Sequence, residues 1–370
     1  MRLFAQDLTT DTLQHIAARG LSEAGGPKPL LLRVLVDLFV TRPSHHDDEI
    51  QHFAEIAHSI LPSATRPEVD HAAMRLCTHP AAPGELVDLL AASGGEGAVL
   101  LFEKCRRLST PVLHKGAASG QLPAALAIAG RPDLDTATID LLVARPEREI
   151  ALALAANELA PLATDVLAIL AERARDNLDL ARHLTHRLPH RGECLGLFHL
   201  AMRTDRLLML ASARARLGEE NGSSQALEHG AETALRKLEA AAQDHAQAFV
   251  AELSATLSYP PDMAAKWAED KSGELLVVAL RALGADLDPL LRIVQQVKGD
   301  LSQGQMAWLR AFALGLSRKL ASDLVHAMLG IARVNPRHQP LHDQAARENG
   351  LRQNPLTPQA QPELHHSRPA

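Results

Sequence analysis

Apolar positions recur at helical spacing along this chain, and over residues 82–185 the pattern itself repeats every 26 residues. A shift of 26 brings Leu100, Leu126, Leu152 and Leu178 into one column and Val87, Leu113 and Ile139 into another. Ser93-Gly94 falls on Ser119-Gly120 and then on Arg145-Pro146, and the segment Ala124 to Ala129 falls on Ile150 to Ala155. That period predicts helix–turn–helix units stacked on one another. Four units follow: 82–107, 108–133, 134–159 and 160–185. Each opens on a proline or a capping residue (Pro83, Ser109 with Pro111, Asp135, Pro161), because the first turn of a helix has no internal partner for its amides. Alternating runs of β-branched residues are missing, so no strand is predicted. The fourth unit drifts, with Asp165 in an aliphatic column. A partly polar face is what the end of an array requires.

The flanks also read as helices. The segment 1–29 holds one predicted helix, Thr10 to Ala18, and a break at Ala24 to Pro29. A buried helix is predicted over Leu30 to Val40, then one after Ser44 as N-cap, then Glu68 to Cys77. Helix continues through 186–216 with a break at Pro189 to Gly192, and Leu217 to Ser224 reads as the boundary. A single long helix is expected over Ala231 to Leu257, with Leu235, Leu238, Ala242, Phe249, Leu253 and Leu257 on one face. Shorter helices start at Pro261, Ser272, Asp288 and Lys319, and at Ser302, where Gln305 completes a capping box. The proline-rich residues 335–370 are expected to be disordered. The expected organisation is an N-terminal helix and linker (1–29), a helical-repeat domain (30–216), a C-terminal helical domain (217–334) and the tail. The fold class is all-α: a right-handed array of short antiparallel helix pairs followed by a C-terminal helical bundle.

Composition narrows the function classes. Aromatic residues make up only 3% of the 370, which removes the stacking platforms that single-strand nucleic-acid binding needs. A net charge of −6 offers no general field for nucleic acid. Cys77, Cys105 and Cys194 are too few and too scattered for a disulfide framework. No signal-peptide core stands at the N-terminus, and the most apolar run, Leu30 to Val40, is shorter than the roughly 18 residues of a spanning helix. A cytoplasmic protein without a membrane partner is expected.

The segments Leu32 to Pro43, Arg145 to Asn157 and Asp165 to Leu184 together resemble DUF2336, an uncharacterised alphaproteobacterial family. The resemblance spans about Leu30 to Gly330. It implies a HEAT-like α-solenoid and carries no catalytic motif.

Candidate chemistry gathers at the irregular end of the array. Between Arg173 and Arg216 stand nine arginines against four acids, Asp176, Asp179, Glu193 and Asp205. Guanidinium forks suit carboxylates and phosphates. The candidate partner-binding residues are Arg131, Arg148, Asn157, Arg173, Arg175, Arg182, Arg187 and Arg191. His183, His186, His190 and Cys194 would share a face on an unbroken helix and form a candidate metal set. Pro189 and Gly192 interrupt that helix, so a solvated face is the plainer reading. The run Ser44 to Glu49 is read as helix capping, Cys105 beside Lys104, Arg106 and Arg107 as a buried thiol before a reactive one, and Ser93 to Gly97 as a turn.

No motif for a nucleophile, a metal protease or a phosphate loop occurs, so no enzyme activity and no cofactor are expected. The leading expectation is a non-enzymatic scaffold that binds a protein with an acidic segment, with homo-oligomerisation left open. The alternative is a sensor of a phosphate-bearing ligand or a metal, centred on residues 173–199.

Overall fold

The computed structural model describes residues 31–217, 229–299 and 301–330. The predicted helix Thr10 to Ala18, most of the boundary at Leu217 to Ser224 and the tail 335–370 lie outside the described residues. Within them the chain is all-α. No described helix is long and apolar enough to cross a membrane. The described residues up to Leu329 cluster as one unit by contact.

The first eleven helices run α1 Leu31–Phe39, α2 Asp47–Ile60, α3 Arg66–Leu76, α4 Gly84–Ala92, α5 Gly95–Lys104, α6 Thr110–Ser119, α7 Leu122–Ala129, α8 Thr136–Val143, α9 Arg148–Ala156, α10 Thr164–Ala174 and α11 Leu178–Arg187. Each of the four predicted units therefore holds two short helices. Every helix packs on the one two places along the chain. The odd-numbered series α1 to α11 forms one row, and the even-numbered series α2 to α10 forms the other. Amphipathic helices of eight to fourteen residues cannot bury an apolar face alone. Stacking on both sides gives them a shared core.

The deepest column of that core is Phe102, Ile128, Leu154 and Leu180, each at most 4% exposed and each 26 residues from the next. The Leu100 column, whose residue type repeats, is only half-buried, and its last member, Leu178, is 45% exposed. Each fully buried side chain of this kind contributes about 1.5–3 kcal/mol of transfer free energy. Val87 and Ile139 are buried as expected, whereas Asp165 is exposed and Val166 and Leu167 turn inward beside it.

Turns between helices are held by specific pairs. Gly97 lets α5 approach α3, since a Cβ there would stand 2.7 Å from the Ala73 Cβ and 2.8 Å from the Asp70 Cα. Its N–H donates to Asp70 Oδ1 at 2.8 Å, while Arg66 Nη1 donates to the Ser93 carbonyl at 2.8 Å. Of the glycine-rich Ser93 to Gly97 segment, Ser93-Gly94 is thus the turn, clamped from α3, and Gly95 to Gly97 begin α5. The helix expected after Ser44 starts at Asp47, with His46 at its N-cap. Glu49 accepts from the His46 backbone and from Arg42, and Arg42 holds its carboxyl below the usual range. That network delays the helix start by two residues, from an N-cap at Ser44 to one at His46, and accounts for the acids there.

After α11 come a 3-10 segment, Gly192–Leu197, then α12 Arg203–Leu217, α13 His229–Asp244, α14 Ala246–Leu257, α15 Pro261–Glu269, α16 Glu274–Ala282, α17 Leu287–Lys298, α18 Gln303–Leu314 and α19 Arg318–Leu329. The single helix expected over 231–257 is two helices, a correction to the sequence reading. His245 adopts an extended backbone (φ −163°), and its ring accepts from the Ala248 N–H at 2.9 Å. The chain restarts there, and α14 packs back on α13, bringing Leu238, Phe249 and Leu253 into the core. Helix α16 is the centre of the C-terminal group. Its residues Glu274 through Leu280 are all buried, and α15, α17, α18 and α19 pack around it.

Candidate functional site

Helix C-termini leave carbonyls without internal partners, and cations are favoured at that negative end of the dipole. In this chain the neighbouring unit supplies them. Arg131 Nη1 donates to the carbonyls of Phe102 (2.7 Å) and Cys105 (2.9 Å), at the end of α5. Its other nitrogens grip Asp133 at 2.8–2.9 Å, and only 3% of the residue is exposed. Asn157 does the same for α7, donating to the carbonyls of Ala129 and Arg131. Arg187 serves α9, reaching the carbonyls of Leu154, Glu158 and Ala160. In the other row, Arg145 reaches Ala117 and Gly120 at the end of α6, and Arg173 reaches Val143 and Arg145 at the end of α8. Arg175 carries the device into the C-terminal helices, donating to Ala327 (3.2 Å) and Met328 (3.0 Å) at the end of α19.

These geometries correct the expected partner-binding set. Arg131, Asn157, Arg173, Arg175 and Arg187 are bonded to backbone inside the fold, so their donors are not free for an acidic partner. Arg191 is shared between Glu193 and Thr164. Arg148 and Arg182 are exposed, and neither side chain has a hydrogen-bond or ion-pair partner among the described residues. The nine arginines of 173–216 do not line one groove; most are spent on separate helix ends.

A second polar centre joins α12 to the C-terminal helices. Glu274, fully buried at the start of α16, accepts from Arg203 Nε (3.0 Å), Arg206 Nη1 (3.2 Å) and Trp308 Nε1 (3.0 Å). The Arg203 guanidinium lies 4.3 Å over the Trp308 ring. Arg206 also donates to the carbonyls of Phe198 and His199 and to Ser272. Gly273, at φ +74°, makes the turn that sets Ser272 and Asp270 against the first amides of α16. Sequence reasoning missed this centre, because its partners are separated by about seventy residues. The one available signal was Glu274, an acid leading a helix whose other residues are apolar except Arg281. A carboxylate with three donors, one of them an arginine that also has carbonyl acceptors, is a satisfied structural network. His199 stands nearby, and burial, then Arg175 and Arg206, lowers its pKa to about 4.

The candidate metal set is not assembled. Among the described residues, no group of three His, Cys, Asp or Glu side chains could hold a metal ion. Cys194 is buried with its thiol pushed up to about 12 by burial, whereas His183, His186 and His190 are exposed on or beyond the end of α11. His186 pairs instead with Asp205 at 3.3 Å. The 3-10 segment after Pro189 turns Cys194 into the core and away from the imidazoles. Cys105 is likewise buried, and its carbonyl is an acceptor for Arg131.

What the fold leaves open is apolar. Of the ten large apolar side chains exposed among the described residues, six fall between 159 and 208: Leu159, Ile169, Leu178, Met202, Leu207 and Leu208. Leu178, Arg182, His183 and His186 share the outer face of α11, and Leu207, Leu208 and Ala211 that of α12. The two helices pack together, and the His186–Asp205 contact bridges them.

The model of a family described as uncharacterised protein conserved in bacteria (DUF2336) matches residues 98–359. No curated protein and no solved structure matches the chain.

Proposed function

The chain belongs to DUF2336, and from that premise we propose that it is a non-enzymatic, HEAT-like scaffold whose docking face is the outer side of α11 and α12. The observation that carries this reading is the concentration of exposed large apolar side chains at 159–208, with Leu208 55% exposed. Clusters of that kind on a folded surface mark interaction sites. The charge beside them selects the partner. Arg182, His183 and His186 rim the apolar groups on α11, opposed there by Asp179. That chemistry fits an amphipathic protein segment with apolar anchors and an acidic flank. The buried ionisable groups support a structural assignment for the remainder, since Arg131, Arg206 and Glu274 are all engaged within the fold.

The test pairs capture with footprinting. Full-length protein and a Leu207→Asp/Leu208→Asp variant serve as bait in bacterial lysate, and the retained protein is mapped by amide exchange. A partner held by the first, lost by the second and protecting α11 and α12 supports the reading. Retention by both, protection elsewhere, or no partner at all overturns it. A concentration-dependent dimer abolished by the variant also overturns it, by giving the face to a second copy.

A further inference from the structure

A cavity of about 240 Å³ lies between the first two repeat units, where α4 and α5 meet α6 and α7. Its lining is apolar apart from the polar atoms at its mouth: Phe102, Ala98 and Ala124 belong to the buried lining, Val99 and Val112 are half-buried, and Lys115 carries the one charge. No acid lines it. Lys115 is exposed, and its ammonium has no ion-pair partner among the described residues.

The repeat explains why space remains here. One period later the positions of Gly116, Ser119 and Ala124 carry Leu142, Arg145 and Ile150. At that next interface Leu142 and Ile150 are buried, and Arg145 reaches back to the Ala117 and Gly120 carbonyls. The first interface lacks that bulk. The Phe102 ring takes the room left at Gly116, where a Cβ would meet it at 2.8 Å, and the rest stays open. The volume equals about eight waters at ~30 Å³ each, below the usual range for drug-sized ligands. It suits a chain on the order of ten non-hydrogen atoms.

We propose that this cavity is a binding site for a short amphiphilic carboxylate, with its hydrocarbon part over Phe102 and its anion at Lys115. The site is separate from the α11–α12 face and does not depend on it. Apolar walls of this kind gain dispersion contacts from a hydrocarbon placed against them, and one unopposed ammonium at the mouth sets the polarity of the head group.

Calorimetric titration of the full-length protein with octanoate and with octan-1-ol tests this. Saturable binding of one octanoate per chain is expected. Ala124→Ile, which copies the next interface, should abolish binding of both compounds. Ala92→Leu at the exposed mouth is a second block in case the first disturbs folding, which circular dichroism reports. Lys115→Met should weaken octanoate about two- to five-fold, the scale of an exposed ion pair, and leave octanol unchanged. No saturable octanoate binding, unaltered binding in both blocked variants, or equal loss of the two compounds in Lys115→Met overturns the proposal.

Discussion

Replacing Arg131 by Met tests whether the backbone ladder holds the array together. The side chain is nearly fully buried, and its Nη1 is the donor for two carbonyls at the end of α5, those of Phe102 and Cys105. Methionine fills much of the same volume but donates nothing. Each buried acceptor left without a donor costs about 1–3 kcal/mol. Asp133 adds less: its side chain is 45% exposed, so it rehydrates when the guanidinium is gone, and an exposed pair is worth about 0–1 kcal/mol. The expected loss is about 2–5 kcal/mol, a large share of the roughly 5–15 kcal/mol available to a domain. Arg131→Lys keeps the charge without the fork and should recover less than half. Arg148→Met, an exposed arginine of the same array, should stay within about 0.5 kcal/mol. Stacked repeats open in parts, so urea unfolding is best read together with amide exchange. Protection in the last turn of α5 should fall at least about thirty-fold, the equivalent of ~2 kcal/mol. A loss under about 1 kcal/mol, or protection lost evenly along the chain, refutes the ladder as a stabilising device.

Two further perturbations address the joint. Glu274→Leu leaves buried Arg206 with Asp270, at 3.5 Å, as its one remaining carboxylate and should cost toward the lower end of about 3–5 kcal/mol, with Trp308 fluorescence changing in the native state because its Nε1 loses an acceptor; an unaltered emission and midpoint would show that the network contributes nothing. His199 is held neutral in the fold, with its pKa lowered to about 4 from an ordinary value of 6.5. The unfolded chain therefore binds the extra proton first, and its contribution to stability is complete above pH 6.5 and is lost as pH falls toward 4, with a slope of up to about 1.4 kcal/mol per pH unit. Urea midpoints of the native protein and His199→Gln should converge as pH drops from 7 to 5, and parallel curves would sink the assignment.

The helical class and the pairing of helices were legible because both rest on local pattern. Apolar spacing, prolines at first turns and the capping residues Asp135 and Ser302 act over a few positions, and their helices start where those signals stand. The break at His245 was not legible, since neither proline nor glycine marks it and a ring-to-amide bond decides it. The deepest core column is hidden in the sequence for a related reason. Repetition of residue type drew attention to Leu100, Leu126 and Leu152, yet burial selects for apolar volume, and Phe102, Ile128, Leu154 and Leu180 satisfy that with three different side chains. The Glu274 network escaped because contacts across seventy residues leave no local trace.

The arginines show how the same residue type can be counted correctly and assigned wrongly. A cluster of guanidinium groups reads, in sequence, as a surface waiting for carboxylates, because that is the acceptor one thinks of first. A stack of short helices offers a denser set of acceptors. Every unit ends in open carbonyls, and each lies about one period from the side chain that can reach it. Arg131 and Asn157 keep the 26-residue step, and Arg187 performs the same task four residues late, about one helical turn. A long flexible stem tolerates that slip where a short side chain would miss. Decay of the sequence register in the fourth unit is therefore compatible with an intact ladder. Arginine density rises there because the last units also secure the C-terminal helices, through Arg175 to α19 and Arg206 to the turn before α16. The surface that these bonds do not use at α11 and α12 is apolar with a basic edge, and the docking face proposed above is drawn from it.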